Sequence, residues 1–150
     1  MREGNGHGIW LGAVALLFIA CSADTAYFAA RGTKRHEGQR SGSLEEGTWT
    51  YWYENGQVRE RGEYEQGRRT GIWTQWHKNG QLLSRGERVW DRETGGSLRE
   101  GPWLYWHENG SLRGRGAFAH GLEQGAWEFW TEKGTVDAVR TGTYRAGKRE

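Results

Sequence analysis

The feature that most constrains this chain is one short pattern written four times. GTWTYWYENGQVRERGEYEQG (47–67) is followed by GIWTQWHKNGQLLSRGERV (71–89), GPWLYWHENGSLRGRGAFAHG (101–121) and GAWEFWTEKGTVDAVRTGTYRAG (125–147). The opening glycines, Gly47, Gly71, Gly101 and Gly125, are spaced by 24, 30 and 24 residues. Periods of this length mark arrays in which one supersecondary unit stacks on the next, because a single unit cannot bury its own apolar face. A chain of 150 residues has room for one domain of this kind.

Each unit reads as a β-hairpin. Asn55-Gly56, Asn79-Gly80 and Asn109-Gly110 sit between aromatic and aliphatic residues, a strong short-range hairpin signal, and Lys133-Gly134 is a degraded form. Twenty-five glycines and no helical period argue against helices, since interior glycine costs a helix roughly 1 kcal/mol against alanine. The expected fold is all-β, a meander of repeated hairpins with about nine strands. GSLEEGTWTYWYENG (42–56) returns as GSLREGPWLYWHENG (96–110), 54 residues on. At that offset Gly32 aligns with Gly86, Phe28 with Leu82 and Arg31 with Arg85. Residues from about 27 then read as the second half of a leading unit. AGKRE at the other end reads as the start of a turn whose next strand is missing.

The pattern G-x-W-x-x-W-x-x-N-G-x-L-x-x-x-G-x-Y-x-x-G resembles the bacterial variant of the MORN repeat, whose carriers are often labelled YwqK-like antitoxins of toxin–antitoxin systems. The resemblance covers about 27–150. It implies a sheet of hairpins used as a binding or scaffolding module.

Alternation along a strand assigns the two faces. With a two-residue turn at Asn55-Gly56, Tyr53 faces Val58, Trp52 faces Arg59, Thr50 faces Arg61 and Trp49 faces Gly62. One face then carries Trp49, Tyr51, Tyr53, Val58 and Tyr64, with Gly62 under Trp49, Gly86 under Trp73 and Gly116 under Trp103. An aromatic ring over a cross-strand glycine stabilises a sheet, so this face reads as the core. In the last unit Gly142 follows Gly134 by eight positions, where the corresponding step in the others is six. The insertion is even, so the strand is expected to keep its facing. The opposite face carries Trp52, Trp76, Trp106 and Trp130 beside Arg31, Arg61, Arg85 and Arg115. This row is the candidate binding surface, although arginine stacked on a tryptophan of the same hairpin is also an ordinary packing arrangement. A single sheet with apolar groups on both sides needs twist, self-association or a partner to shield it.

The N-terminus reads as an address. IWLGAVALLFIA (9–20) is uncharged and too short to span a bilayer, which needs about 20 residues, and fits a signal-peptide core. It closes on LFIAC, which resembles the lipobox of bacterial lipoproteins. That resemblance implies lipidation at Cys21, the one cysteine of the chain, and an envelope location on the outer-membrane or periplasmic side. Secretion after cleavage at another site is the alternative. The expected division is a signal segment over 1–20, a short tether over 21–26 and the repeat domain over 27–150.

Composition and motifs point away from catalysis. Twenty-one basic and 19 acidic residues, well mixed, lack the basic excess of a nucleic-acid binder. His77 and His107 follow the second tryptophan of their units, but equivalent positions in adjacent hairpins lie roughly 9–10 Å apart, too far to share a zinc ion easily. They read as polar residues near a turn. Glu45, Glu46 and Glu54 read as solvated charges. No nucleophile elbow, phosphate loop or Cys-x-x-Cys is present, so neither catalytic residues nor a cofactor or metal is expected. The expected activity is non-enzymatic binding of a protein partner. Glycan, peptidoglycan or anionic-lipid binding through the Trp/Arg face, and neutralisation of a toxin, are the other readings, with homo-oligomerisation open.

Overall fold

The computed structural model describes residues 21–29 and 32–150; the signal segment expected over 1–20 and Arg31 lie outside the described residues. The chain forms an antiparallel sheet of eleven strands whose spatial order is the order of the sequence. In chain order these are β1 (Cys21–Tyr27), β2 (Lys34–Ser41), β3 (Leu44–Trp52), β4 (Val58–Glu65), β5 (Arg68–Trp76) and β6 (Leu82–Asp91). They continue as β7 (Gly96–Trp106), β8 (Leu112–Ala119), β9 (Leu122–Phe129), β10 (Gly142–Arg145) and β11 (Lys148–Arg149). The all-β meander is as expected, with two more strands than the repeat count suggested.

One extra strand is β1. The segment expected as a tether pairs with β2 along its whole length, from Cys21 opposite Ser41 to Tyr27 opposite Lys34. This corrects the alignment of the leading unit. Gly38, not Gly32, stands beside Trp49 as Gly62 stands beside Trp73. Gly32 is instead the left-handed glycine of the first hairpin loop, at φ 62°, with its N–H on Phe28 O. The matching offset is therefore 24 residues, and the first unit has both of its strands. The other extra strand, β11, follows the turn in AGKRE, where none was expected.

The Asn-Gly loops differ from the expected two-residue turn. Tyr53 N–H donates to Gln57 O at 2.8 Å and Gly56 N–H to Tyr53 O at 3.0 Å, and within the loop only Gly56 has positive φ. These are three-residue loops closed by a left-handed glycine. Trp52 consequently pairs with Val58 rather than Arg59, and Tyr53 closes the loop rather than facing Val58. A bulge between Tyr51 and Trp52 then takes up one residue and restores Thr50 opposite Arg61 and Trp49 opposite Gly62. The two departures cancel, so the facing of the strand interior is as expected. The linking turn at Gln66-Gly67, with φ of 51° and 75°, is a two-residue turn with both residues left-handed.

The last unit departs further. Val136 forms an isolated bridge with Trp130, and the chain then turns over 138–140 before β10 begins. Asp137 holds this turn, its Oδ1 accepting from the N–H groups of Val139 and Arg140. The two inserted residues leave the strand as a loop, and Gly142 is returned to a position opposite Trp127.

The core is one face of the sheet. Trp49, Trp73, Trp103 and Trp127 are 1%, 1%, 3% and 2% exposed. Each pairs across its own hairpin with the expected glycine, but its ring leans the other way, onto the glycine of the preceding strand. The Trp73 ring covers Gly62, Trp103 covers Gly86 and Trp127 covers Gly116. Three indole N–H groups donate to the carbonyl of the residue after that glycine, Trp49 to Gln39, Trp103 to Glu87 and Trp127 to Ala117, and Trp73 donates to Thr70 within its own strand, all at 3.0–3.1 Å. The row thus stitches each hairpin to its predecessor.

Candidate binding faces of the repeat sheet

The two faces are covered differently. On the core face, aromatic rings lie under charged side chains rather than under a second layer. The Arg69 guanidinium sits 4.1 Å from the Trp73 ring centre, Arg99 4.0 Å from Phe118 and Arg140 4.1 Å from Phe129. Stacked guanidinium planes exclude water from a ring while keeping their N–H edges free for hydrogen bonds.

Those edges make a network that sequence reading missed. Glu60, only 6% exposed, accepts from both terminal nitrogens of Arg69 at 3.1 and 3.2 Å, from Gln75 at 3.3 Å and from Arg59 at 3.3 Å. Arg69 Nε donates in turn to the Tyr64 hydroxyl, which lies 3.2 Å from that of Tyr51. Burial acts to raise the Glu60 carboxyl, but Arg69, then Gln75 and Arg59, outweigh it and hold the group below the ordinary carboxylate range. Burial, followed by the Tyr64 hydroxyl, pushes the Tyr51 phenol up. The alternation rule places Glu60 beside Gly62 on the core face, which was the available signal; its charge argued for solvent instead.

The opposite face carries the expected row. Trp52, Trp76, Trp106 and Trp130 are half-buried, and Arg61, Arg85 and Arg115 beside them are exposed. The row is less regular than the alignment implied. Glu37, opposite Thr50, takes the place in the leading unit that Arg61 takes opposite Thr74. Arg115 stacks 5.5 Å from the Trp130 ring, which belongs to the next hairpin rather than its own, and Lys34 lies 5.8 Å from Trp52. Ile72 and Leu104 join this face by alternation and are 50% and 37% exposed. Among the described residues, the second-row indole N–H groups make no hydrogen bond.

The loop edge of the sheet is built from the residues after the second tryptophan. The Tyr53 hydroxyl donates to Trp76 O at 2.9 Å, His77 Nε2 to Trp106 O at 3.1 Å and His107 Nε2 to Trp130 O at 2.8 Å. Asn55, Asn79 and Asn109 repeat the move one step out, each Nδ2 donating to a carbonyl of the next loop at 2.7–3.0 Å. The histidines thus serve as rungs between hairpins. Among the described residues no group of three or more His, Cys, Asp and Glu side chains is placed to hold a metal ion. The linking edge has its own rungs. Glu46 accepts from the Gln66 N–H and Glu100 from the His120 N–H, at turn residues with positive φ, while Glu45 pairs with Arg40. Glu45 and Glu46 are therefore structural, not solvated; Glu54 is exposed as expected. Cys21 is exposed at the start of β1.

Residues 45–66, 69–88 and 99–120 match the MORN repeat variant. The units on either side lie beyond those matches but repeat the geometry, with Trp49 on Gly38 and Trp127 on Gly116. No curated protein matches the chain.

Proposed function

We propose that this MORN-repeat protein is a non-enzymatic scaffold that binds a protein partner through the face of the second tryptophan row. The supporting observation is the inequality of the two rows. The first row is nine-tenths or more buried with every indole N–H bonded, while the second is half-exposed with those donors free among the described residues. The second row also lies beside exposed Ile72 and Leu104, beside exposed Arg61 and Arg85, and beside Arg115, whose Nε pairs with Glu128. Half-exposed tryptophan and arginine around aliphatic groups is the composition of binding hot spots.

The test is capture from envelope fractions by the full-length chain, comparing wild type with the Trp76→Ala/Trp106→Ala pair. Loss of a saturable partner with an unchanged thermal midpoint supports the reading. Capture that survives the double substitution defeats it, and tryptophan fluorescence that responds to glycans or anionic vesicles instead assigns the face to those ligands.

The anchoring half of the proposal rests on the apolar run Ile9–Ala20 ending at an exposed Cys21. With β1 beginning at Cys21, a lipid on that residue holds the sheet by its first strand with no spacer. A Cys21→Ala variant that still fractionates with membranes overturns this part.

A further inference from the structure

One strand pair breaks a pattern that the rest of the sheet obeys. At the same position of successive units the directly opposed residues are Arg40 and Glu45, Tyr64 and Arg69, Arg88 and Arg99, and Phe118 and Glu123. The first pair is an ion pair, Arg40 Nη2 to Glu45 Oε1 at 2.9 Å. In the second, Arg69 bonds Tyr64 and forks onto Glu60. The third sets two guanidinium cations against each other across β6 and β7. Like charges directly opposite on a sheet destabilise it.

Neither cation of this pair has a carboxylate within ion-pair distance among the described residues. Arg88 donates to the Ser97 carbonyl at 3.3 Å and lies 5.7 Å from the Trp103 ring centre. Arg99 donates to the Tyr105 hydroxyl at 3.1 Å and stacks on Phe118. Both are half-buried on the aromatic face. The surrounding charges are Arg69, Arg113 over Tyr105, Glu60 already gripped by Arg69, and Glu123 opposite Phe118. Each guanidinium has five N–H groups and commits one, so most of the donors of both forks remain.

We propose that Arg88 and Arg99 form a clamp for a carboxylate side chain of an acidic peptide segment in a protein partner. A carboxylate is the fitting group because this same face seats one on an arginine twice already, Glu45 on Arg40 and Glu60 on Arg69. The aromatic floor fixes the planes of both guanidiniums, so little side-chain freedom is lost when the carboxylate arrives. The site lies on the opposite side of the sheet from the second tryptophan row. It stands or falls separately, because Trp76→Ala/Trp106→Ala alters only that row.

The test titrates the full-length chain with a ten-residue glutamate peptide and its glutamine counterpart, read by tryptophan fluorescence and calorimetry at low and physiological salt. The glutamate peptide is expected to bind and the glutamine peptide not. Arg99→Glu recreates the Arg40–Glu45 pairing within the chain, so it is expected to abolish binding while keeping or raising the thermal midpoint. Arg88→Gln is expected to weaken binding about tenfold, the scale of a lost charge-assisted hydrogen bond. Lys133→Gln, in an exposed loop on β10's side of the sheet, is expected to leave binding unchanged. Equal binding of the two peptides, no binding, or binding that survives both arginine substitutions overturns the proposal. So does binding of phosphatidylglycerol vesicles without binding of the peptide, which assigns the clamp to phosphate.

Discussion

The Trp73 ring lies across Gly62 so closely that a β-carbon on that glycine would stand 2.2 Å from the indole. The contact joins β5 to β4 and recurs at Gly38, Gly86 and Gly116, each under the tryptophan of the next unit. It is the reason a sheet with no second layer can bury four tryptophans. The ring lies flat on backbone, and arginines and tyrosines close over its other side.

Gly62→Ala is expected to destabilise the protein by about 1–3 kcal/mol, the range for forcing an extra methyl group into a packed core. Gly96→Ala is the control, since Gly96 has no positive φ and its nearest neighbour would be Thr94 Oγ1 at an ordinary 3.6 Å. Denaturant unfolding of the two variants should separate them clearly; equal stabilities would show that the ring contact is not what holds the units together.

Glu60 sets an acid limit. Its folded carboxyl titrates below the ordinary value of 4.5, so its contribution is present above that pH and is lost as the pH falls through the lower, folded value. The thermal midpoint of the wild type should therefore drop on acidification below about pH 4.5, and Glu60→Gln should flatten that slope. At neutral pH the same variant should cost roughly 1.5–3 kcal/mol, the worth of hydrogen bonds to a charged group.

Asn79→Ala removes one rung of the loop edge, the bonds from Nδ2 to Glu108 O and from the Gln81 N–H to Oδ1. A loss of about 1 kcal/mol is expected for these exposed bonds. Hydrogen exchange should localise the effect, with faster exchange at Gly80 and Gln81 and little change at Gly62.

The C-terminal edge is closed by Arg149. Its side chain lies on Gly142, as a tryptophan does on the equivalent glycines, and its nitrogens donate to the carbonyls of Thr141 and Ala138. Arg149→Ala is expected to speed amide exchange over Gly142–Arg145 without changing the global stability by more than about 1 kcal/mol, since the contacts lie at the edge of the sheet, where local opening costs less than global unfolding. Unchanged exchange there would remove Arg149 from this role.

The repeat alone determined the fold class, the antiparallel order, the interior register of each hairpin and the division of the tryptophans between two faces. All of these follow from local periodicity: side chains alternate every residue, and turn residues recur at fixed spacing. Offsets that depended on which copies to align were less secure. The echo at 54 residues misplaced the leading unit because the longer β6–β7 hairpin separates the copies it compares. The tertiary structure decided what lies between hairpins. That Trp73 covers Gly62 rather than Gly86, that Glu60 is buried, and that Arg88 meets Arg99 are contacts between strands of different units. A one-dimensional pattern specifies which face a residue takes, but not toward which neighbouring strand its side chain leans. That direction is decided only once the strands have paired, when each ring can lie on the bare backbone of a neighbouring glycine and its N–H can reach a carbonyl.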